Sequence, residues 1–274
     1  MSSGMCLTRT LRAEWTKLRS VLSTTWLLLA GVGATVAFGL LVCSTVDTAG
    51  APPGCVPGRP GCGDEDVVLN SLSGAYIGQI PLAALGVLLA TSEYATGTIR
   101  STFAAMPWRS GVVLAKTAVL VGSVVAAGLI ASTASFLLGQ PILHGNGFVP
   151  AQGYPVISIA DPAAARAIVG TAVYLAAIAL LGFAVGEITR RASSAIALVL
   201  AVLYGPAIVS LMVVEPFRGT LQRLSPMMAG LAVQRTLERA DSVPVGQIAG
   251  LGVAAAWAAA AVLAAVWLIR RRDA

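Results

Sequence analysis

Long apolar stretches with almost no charge constrain the fold of this chain more than any other feature. Several of them run for about 20 residues, the length of helix that crosses a hydrocarbon core about 30 Å thick. Charged residues make up only 11% of the chain, about half of what a soluble domain uses to cover its surface. We therefore predict an all-α, polytopic membrane protein whose surface is covered by lipid.

Polar segments divide the apolar stretches into six predicted transmembrane helices, which form one domain over residues 1–274. The predicted spans cover about residues 26–46, 72–90, 112–138, 163–188, 195–214 and 248–269. Cytoplasmic loops carry an excess of lysine and arginine, so the basic residues set the orientation. With the N and C termini in the cytoplasm, twelve basic residues fall inside and six outside. The last outer segment departs from this rule with four arginines: Arg218, Arg223, Arg235 and Arg239.

Catalytic signatures are absent from the sequence. A P-loop places Gly-Lys before Ser or Thr, whereas Lys17 follows Thr16 and Lys116 follows Ala115. The single histidine, His144, falls in a predicted outer loop over residues 141–162 and offers no partner for a serine or a metal inside the bilayer. We therefore predict a chain that is not an enzyme and holds no cofactor or metal of its own.

The net charge and the cysteines are consistent with a membrane protein. The formal net charge is +6, but the basic residues cluster at the ends of apolar segments, where they meet lipid headgroups. Nucleic-acid binding is therefore not expected. Cys55 and Cys62 share a Gly/Pro-rich loop and form a disulfide only if that loop faces an oxidising compartment.

Two segments outside the spans have the periodicity of short amphipathic helices. Residues 9–22 place one apolar stripe opposite basic residues, and the stripe consists of Leu11, Trp15, Leu18 and Leu22. Such a helix lies in the membrane interface, or it serves only as an anchor that sets topology. Residues 92–109 place Ile99, Phe103 and Met106 on one face before Pro107. By itself this second pattern fits any intracellular loop helix.

Polar residues inside the spans leave two interpretations open. Glu187, near the inner end of the fourth span, either acts in gating or pairs with Arg190 and Arg191 at helical spacing. Gln79 and Pro81 mark either a polar translocation path or a kink without function. Residues 215–245 carry enough apolar side chains to form ordered short helices at the outer surface, although an ordinary long loop is the alternative. These side chains are Leu221, Leu224, Met227, Met228 and Leu231.

Three passages resemble the permease subunits of type-2 ABC transporters, particularly the six-span permeases of high-GC Gram-positive bacteria. They are Ala-Glu-Trp-Thr-Lys-Leu-Arg-Ser at 13–20, Glu-Tyr at 93–94 with Gly-Thr-Ile-Arg at 97–100, and Pro-Trp-Arg at 107–109 leading to Lys116. The six-span layout extends the resemblance over nearly the whole chain. The arginine surplus of the outer segment and the cysteine-bearing first loop depart from the family pattern.

The resemblance implies an ABC type-2 exporter membrane-domain fold in the plasma membrane. It implies a permease that exports an apolar or amphipathic substrate, such as a drug, antibiotic, peptide or lipid. The partners would be two copies of an ABC ATPase, which hold ATP and Mg²⁺, and a second permease chain, identical or related. The residues implied in ATPase coupling are Trp15, Lys17, Arg19, Glu93, Thr98, Ile99, Arg100 and Phe103, and residues 215–245 match an outer re-entrant region. A non-transporting membrane scaffold or sensor subunit is the alternative.

Overall fold

The computed structural model describes residues 12–13, 15–16, 19–48, 65–95, 109–152, 154–237 and 245–272. Within these ranges the regular structure is helical and contains no strand. The α-helices are α1 Leu22–Thr45, α2 Val67–Leu72, α3 Ala75–Ala95, α4 Arg109–Gly145, α5 Pro162–Thr189, α6 Ala192–Ser210, α7 Phe217–Leu224, α8 Pro226–Gly230 and α9 Gln247–Arg272, and short 3-10 turns cover Pro150–Gln152 and Leu231–Gln234.

Six helical stretches among the described residues are long and apolar enough to cross a membrane. They are Leu22–Thr45, Val67–Ser92, Leu114–Gly145, Pro162–Thr189, Ala192–Ser210 and Gln247–Leu268. The prediction of an all-α chain with six membrane-spanning helices is therefore confirmed at this level. This is the architecture of a multi-pass membrane protein.

Two helix boundaries differ most from the sequence prediction. The second span begins earlier than expected, because Asp66 caps α2 and the chain turns at Ser73 before α3 continues inward. The third span continues past Pro141 to Gly145, so His144 lies exposed in the last turn of α4 rather than in a loop. A proline inside a membrane helix removes one backbone hydrogen bond but does not end the helix when the following turn packs well. Leu143, in that turn, is fully buried.

Glycines bring the spans into backbone contact and reveal their directions. A Cβ atom at Gly182 would lie 2.4 Å from the carbonyl oxygen of Ala83, and one at Gly186 would lie 3.0 Å from that of Val87. Both residue numbers rise together, so α3 and α5 run parallel. Small residues of this kind are what allow membrane helices to pack closely without a hydrophobic driving force.

Two contacts in each case fix the directions of α1 and α4. Gly31 lies against Leu82 and Thr35 against Gly74, so α1 runs antiparallel to α3. Gly128 lies against Ala172 and the hydroxyl of Ser132 donates to the carbonyl of Ile168, so α4 runs antiparallel to α5. The ends of α3 and α5 and the start of α4 therefore share one end of the bundle. We call this the inner end and the opposite one the outer end, names that follow the predicted orientation.

Helix α5 forms the centre of the bundle. In its membrane window 78% of the residues are buried, against 22% for α1 and 17% for both α6 and α9. Tyr174, Leu175 and Ile178 are fully enclosed by the neighbouring helices. The peripheral helices expose most of their apolar side chains, as expected for surfaces that face lipid or another membrane chain.

The segment between α6 and α9 enters the bundle from the outer end and returns. Gly230 lies against the ring of Tyr174, about 18 Å along α5 from its first residue at a rise of 1.5 Å per residue. The chain then passes Gln234 and reaches Thr236, which contacts Asp66 at the start of α2. Of the five apolar residues named above for this segment, Met227 and Leu231 are buried, Leu221 and Met228 are half-buried, and Leu224 is 61% exposed.

Candidate functional site

A polar cluster at the inner end joins α3 to the end of α5. The hydroxyl of Tyr94 donates a hydrogen bond to Oε2 of Glu187 at 2.8 Å. The guanidinium carbon of Arg190 lies 5.1 Å from the centroid of the same tyrosine ring, within the range of a cation–π contact. Glu187 is only 5% exposed, so its carboxylate depends on protein groups rather than water.

The local backbone explains why Arg190 reaches this ring. Helix α5 ends at Thr189, and Arg190 adopts a left-handed conformation with φ 56° while its N–H donates to Gly186. A residue with a Cβ pays about 1–2 kcal/mol for that conformation. Contacts of the arginine side chain with Tyr94 help to offset the strain. The chain then reverses at once into α6, whose first residue is Ala192.

Lys116 brings a further charge to the inner half of α4. Its side chain is 3% exposed. The contacts of Gly128 with Ala172 and of Ser132 with Ile168 set an antiparallel register that places Lys116 level with Ala184, about one turn from Glu187. Buried charges require compensating charges or hydrogen bonds. The inner end therefore carries an ordered set of charged groups rather than a plain apolar helix end.

Tyr94 belongs to the passage at 93–100 that resembles the coupling region of ABC permeases. The sequence leaves two interpretations for Glu187, a role in gating or pairing with Arg190 and Arg191. The structure adds a hydrogen bond from Tyr94, which links Glu187 to this passage. Arg191 is exposed, whereas Arg190 covers the tyrosine ring. The sequence analysis names Tyr94 only as part of the Glu-Tyr pair that carries the resemblance and gives it no role of its own. Its position directly after Glu93, at the end of a span, was the available signal.

Most of the predicted coupling residues lie where the structure gives no side-chain detail. The backbone of Glu93 is helical in the last turn of α3, and Thr98, Ile99, Arg100 and Phe103 lie outside the described residues, as do Lys17, Cys55 and Cys62. The described residues between 12 and 20 are helical, and Val21 separates them from α1. Trp15 is 49% exposed there, and Arg19 is also exposed.

Gln79 lies in a second polar cluster, in the outer half of the bundle. Its side chain is fully buried. The amide Nε2 donates to the carbonyl of Tyr76 at 3.1 Å and to the hydroxyl of Tyr204 at 3.0 Å, while Oε1 accepts from the hydroxyl of Tyr174. Tyr204 in turn donates to the carbonyl of Tyr76.

This cluster joins α3, α5 and α6 by direct hydrogen bonds. In this conformation Gln79 therefore holds three helices together, and its role in a polar path stays a prediction. Pro81 lies inside α3 and cannot donate to the carbonyl four residues before it. The missing backbone hydrogen bond lies close to Gln79, whose side-chain amide is buried.

Asp66 attaches the returning segment to the outer end of the bundle, although in the sequence it falls in the polar segment between the first two predicted spans. The carboxylate is 2% exposed, and Oδ1 accepts from the N–H groups of Val68 and Leu69 at 3.1 and 3.0 Å and from the hydroxyl of Thr236 at 2.7 Å. Oδ2 accepts from the N–H groups of Thr236 and Leu237. An aspartate just before an apolar run is a typical helix N-cap, and this was the signal that could have identified it.

Gln234 is the second residue that attaches the outer segment to the bundle. It is fully buried, and its Nε2 donates to the carbonyl of Leu72 at 3.0 Å and to the hydroxyl of Thr171 at 3.1 Å. Residues 231–237 are thus bonded to both the second and the fourth span. The α3 and α5 pair therefore carries the Tyr94 cluster at its inner end and the returning segment at its outer end.

Comparisons with known protein families, with curated proteins and with solved structures found no match to this chain. Among the described residues, no group of three or more His, Cys, Asp or Glu side chains is placed to hold a metal ion. The indications of function are therefore the resemblance of the three passages and the geometry of the bundle.

Proposed function

We propose that this chain is the membrane-spanning permease subunit of a type-2 ABC exporter, driven by a separate ATPase. The observation that carries the proposal is the close-packed pair of α3 and α5. At its inner end the pair holds Tyr94, Glu187 and Arg190. At its outer end residues 231–237 are bonded to Thr171 of α5 and to Asp66 and Leu72 of α2, the short helix that leads into α3. A motor that moved the inner end would move the outer segment with it.

Backbone contacts make this pair stiff enough to transmit force. A Cβ atom at Gly86 would lie 2.0 Å from the carbonyl oxygen of Ala179, and Gly182 and Gly186 make similar approaches. Helices in such contact have discrete packing arrangements and do not slide smoothly past each other. Closure of two ATPase subunits against residues 9–22 and 93–106 would therefore tilt the pair between two states. Differential binding of ATP to those states would drive the cycle.

The exported substrate in this proposal is apolar or amphipathic. The spans present few charged groups, and the polar side chains of Gln79, Tyr174 and Tyr204 are hydrogen-bonded to each other. A second permease chain would complete the path against the largely exposed faces of α1, α6 or α9. ATP and Mg²⁺ would be held by the ATPase, since this chain has no P-loop.

The first test is isolation of the tagged full-length chain from its native membranes in mild detergent. We expect a P-loop ATPase to copurify in near-equal amounts, with hydrolysis that this chain stimulates in proteoliposomes. Absence of any bound nucleotidase would refute the proposal, as would tags that place the two termini on opposite sides of the membrane. An ATPase that binds while neither hydrolysis nor export responds would favour the scaffold alternative.

Tyr94→Phe tests the coupling geometry. The variant keeps the ring beneath Arg190 and loses the hydrogen bond to Glu187. One such bond to a charged group is worth about a tenfold change in an equilibrium, so we expect coupled ATP hydrolysis and export to fall about tenfold while the ATPase stays bound. Tyr154→Phe, at the outer end, is the matched control. Glu93→Gln and Arg100→Gln should also uncouple, and full coupling in all three variants would contradict the assignment.

A further inference from the structure

The hairpin formed by α7 and α8 reaches the middle of the membrane. The indole Nε1 of Trp257 in α9 donates to the carbonyl of Leu224, the last residue of α7, at 2.9 Å. At a rise of 1.5 Å per residue, Trp257 lies about 15 Å from Gln247 and about 17 Å from Leu268, the two ends of the last candidate span. In a hydrocarbon core about 30 Å thick, Leu224 is therefore close to the midplane.

The contacts of α8 support the same depth. A Cβ atom at Gly230 would lie 2.5 Å from the ring of Tyr174 in α5 and 3.1 Å from the Cβ atom of Ala254 in α9. Ala254 precedes Trp257 by less than one turn of helix, and Tyr174 lies near the middle of α5. Helices α7 and α8 thus descend and return within the apolar region, where backbone is tolerated only when protein covers it or water reaches it.

Arg223 is exposed at this depth. It is the residue before Leu224, and Thr220, one turn earlier, is also exposed, whereas Gly219, Leu221 and Gln222 are half-buried. The exposed side of α7 therefore carries a hydroxyl and a guanidinium beside two apolar side chains, Phe217 at 70% and Leu224 at 61% exposure. Charged groups are rare on membrane-protein surfaces that face lipid.

An arginine close to the midplane needs polar surroundings. Its long stem lets the charged head reach toward the headgroups, but their boundary is about 15 Å away, farther than one side chain extends. Charged residues at such depth face the interior of a bundle or a water-filled cavity. Helix α7 contacts the peripheral spans α6 and α9, so a cavity around Arg223 requires a second chain.

We propose that Arg223 and Thr220 line a water-filled path between this chain and a second permease chain, and bind there the anionic group of an amphiphilic substrate. The apolar part of that substrate contacts Phe217 and Leu224. The inference rests on the proposed permease function and narrows its substrate class to amphiphiles with a phosphate or carboxylate head. A guanidinium binds either group bidentately, and a hydroxyl supplies a further donor.

The binding test titrates dodecyl phosphate into the purified full-length protein in dodecyl maltoside and follows the thermal unfolding midpoint. Inorganic phosphate serves as a parallel titration. A hydrogen bond between charged groups is worth about tenfold, so R223Q should bind dodecyl phosphate about tenfold more weakly. R223K should stay within about threefold of the wild type, because it keeps the charge. The matched control is R218Q, at an exposed arginine in the first turn of α7, which should change the affinity by less than about twofold.

A second measurement tests for water around position 223. The complex as isolated, carrying R223C, is treated in proteoliposomes with a water-soluble methanethiosulfonate, and modification of the peptide that contains position 223 is followed by mass spectrometry. A thiol reacts as the thiolate, which hydrocarbon disfavours, and each unit of pKa lowers the thiolate fraction about tenfold. R223C should therefore react at least about tenfold faster than I130C, at an exposed position in the middle of the third span.

Equal affinity of the wild type and R223Q for dodecyl phosphate would overturn the proposal. So would R223C that reacts as slowly as I130C, or inorganic phosphate that reproduces the whole shift, which would indicate a site for a free anion. An oligomer that dissociates in R223Q while the affinity is unchanged would show that Arg223 pairs with a carboxylate of the second chain instead. Neither measurement involves the ATPase, so an ATPase that copurifies while R223Q binds normally refutes this inference alone.

Discussion

Removal of the Asp66 carboxylate should release the outer segment from the bundle. Asp66 both caps α2 and binds Thr236 and Leu237. Loss of an N-cap costs about 1 kcal/mol. Each of the two backbone N–H groups of the outer segment loses a bond to a charged acceptor, at about 1–1.5 kcal/mol each after allowance for partial exposure. Asp66→Ala should therefore destabilise the fold by about 3–4 kcal/mol.

Two measurements check this figure. Equilibrium unfolding of the purified protein in mixed micelles gives the global loss, provided the transition is two-state. Hydrogen exchange followed by mass spectrometry gives the local one, and the amides of residues 231–237 should exchange about 100-fold faster. The amides of α5 should be affected less, because its core contacts with α3 and α4 remain.

Asp161→Ala is the matched control. Asp161 also precedes a span, but its carboxylate makes no capping bond to α5 and accepts a hydrogen bond from Ser158 in an exposed turn. The expected cost is below about 1 kcal/mol. If Asp66→Ala and Asp161→Ala differ by less than about 0.5 kcal/mol, and residues 231–237 exchange at the wild-type rate, the reasoning about Asp66 is wrong.

Four further substitutions, one of them a control, test the packing of the bundle in the same unfolding assay. Gly86→Ala should destabilise the fold by about 2–3 kcal/mol, because its Cβ would lie 2.0 Å from a carbonyl oxygen of α5. The control is Gly122→Ala, whose Cβ would meet no atom within 4 Å and which should be neutral or stabilising by up to about 1 kcal/mol. Equal effects of the two substitutions would contradict the close approach at Gly86. Gln79→Leu should cost about 2–3 kcal/mol, because it leaves the buried hydroxyl of Tyr174 without its acceptor; an unchanged midpoint would show that the amide contributes nothing. Asn146→Ala should cost about 1–2 kcal/mol, because it removes two hydrogen bonds to the carbonyls of Cys43, in the last turn of α1, and Val46, the residue that follows the helix. Hydrogen exchange should be faster only at that helix end.

Some features of the outer end were within reach of sequence reasoning and others were not. Asp66 before Val67 and Val68 is a recognisable capping pattern, although the neighbouring acidic and glycine-rich residues concealed it. Gln234 offered no comparable signal, since a glutamine in a polar segment is unremarkable until its carbonyl partner in another span is known. Likewise, the four-residue spacing of Gly182 and Gly186 is a small-residue motif, but it arises easily by chance in a chain with 29 glycines.

What the sequence alone determined is the class of the molecule: helical, multi-pass and apolar over six spans, because a helix must satisfy its own backbone in lipid and that requirement is visible as uncharged runs. The tertiary structure alone decided which polar groups meet. Tyr94 is hydrogen-bonded to Glu187, Gln79 to Tyr174 and Asp66 to Thr236, across sequence separations of 93, 95 and 170 residues. No local periodicity encodes such pairs, because they depend on the register in which neighbouring helices pack. A candidate site made of them becomes visible only when the bundle is assembled.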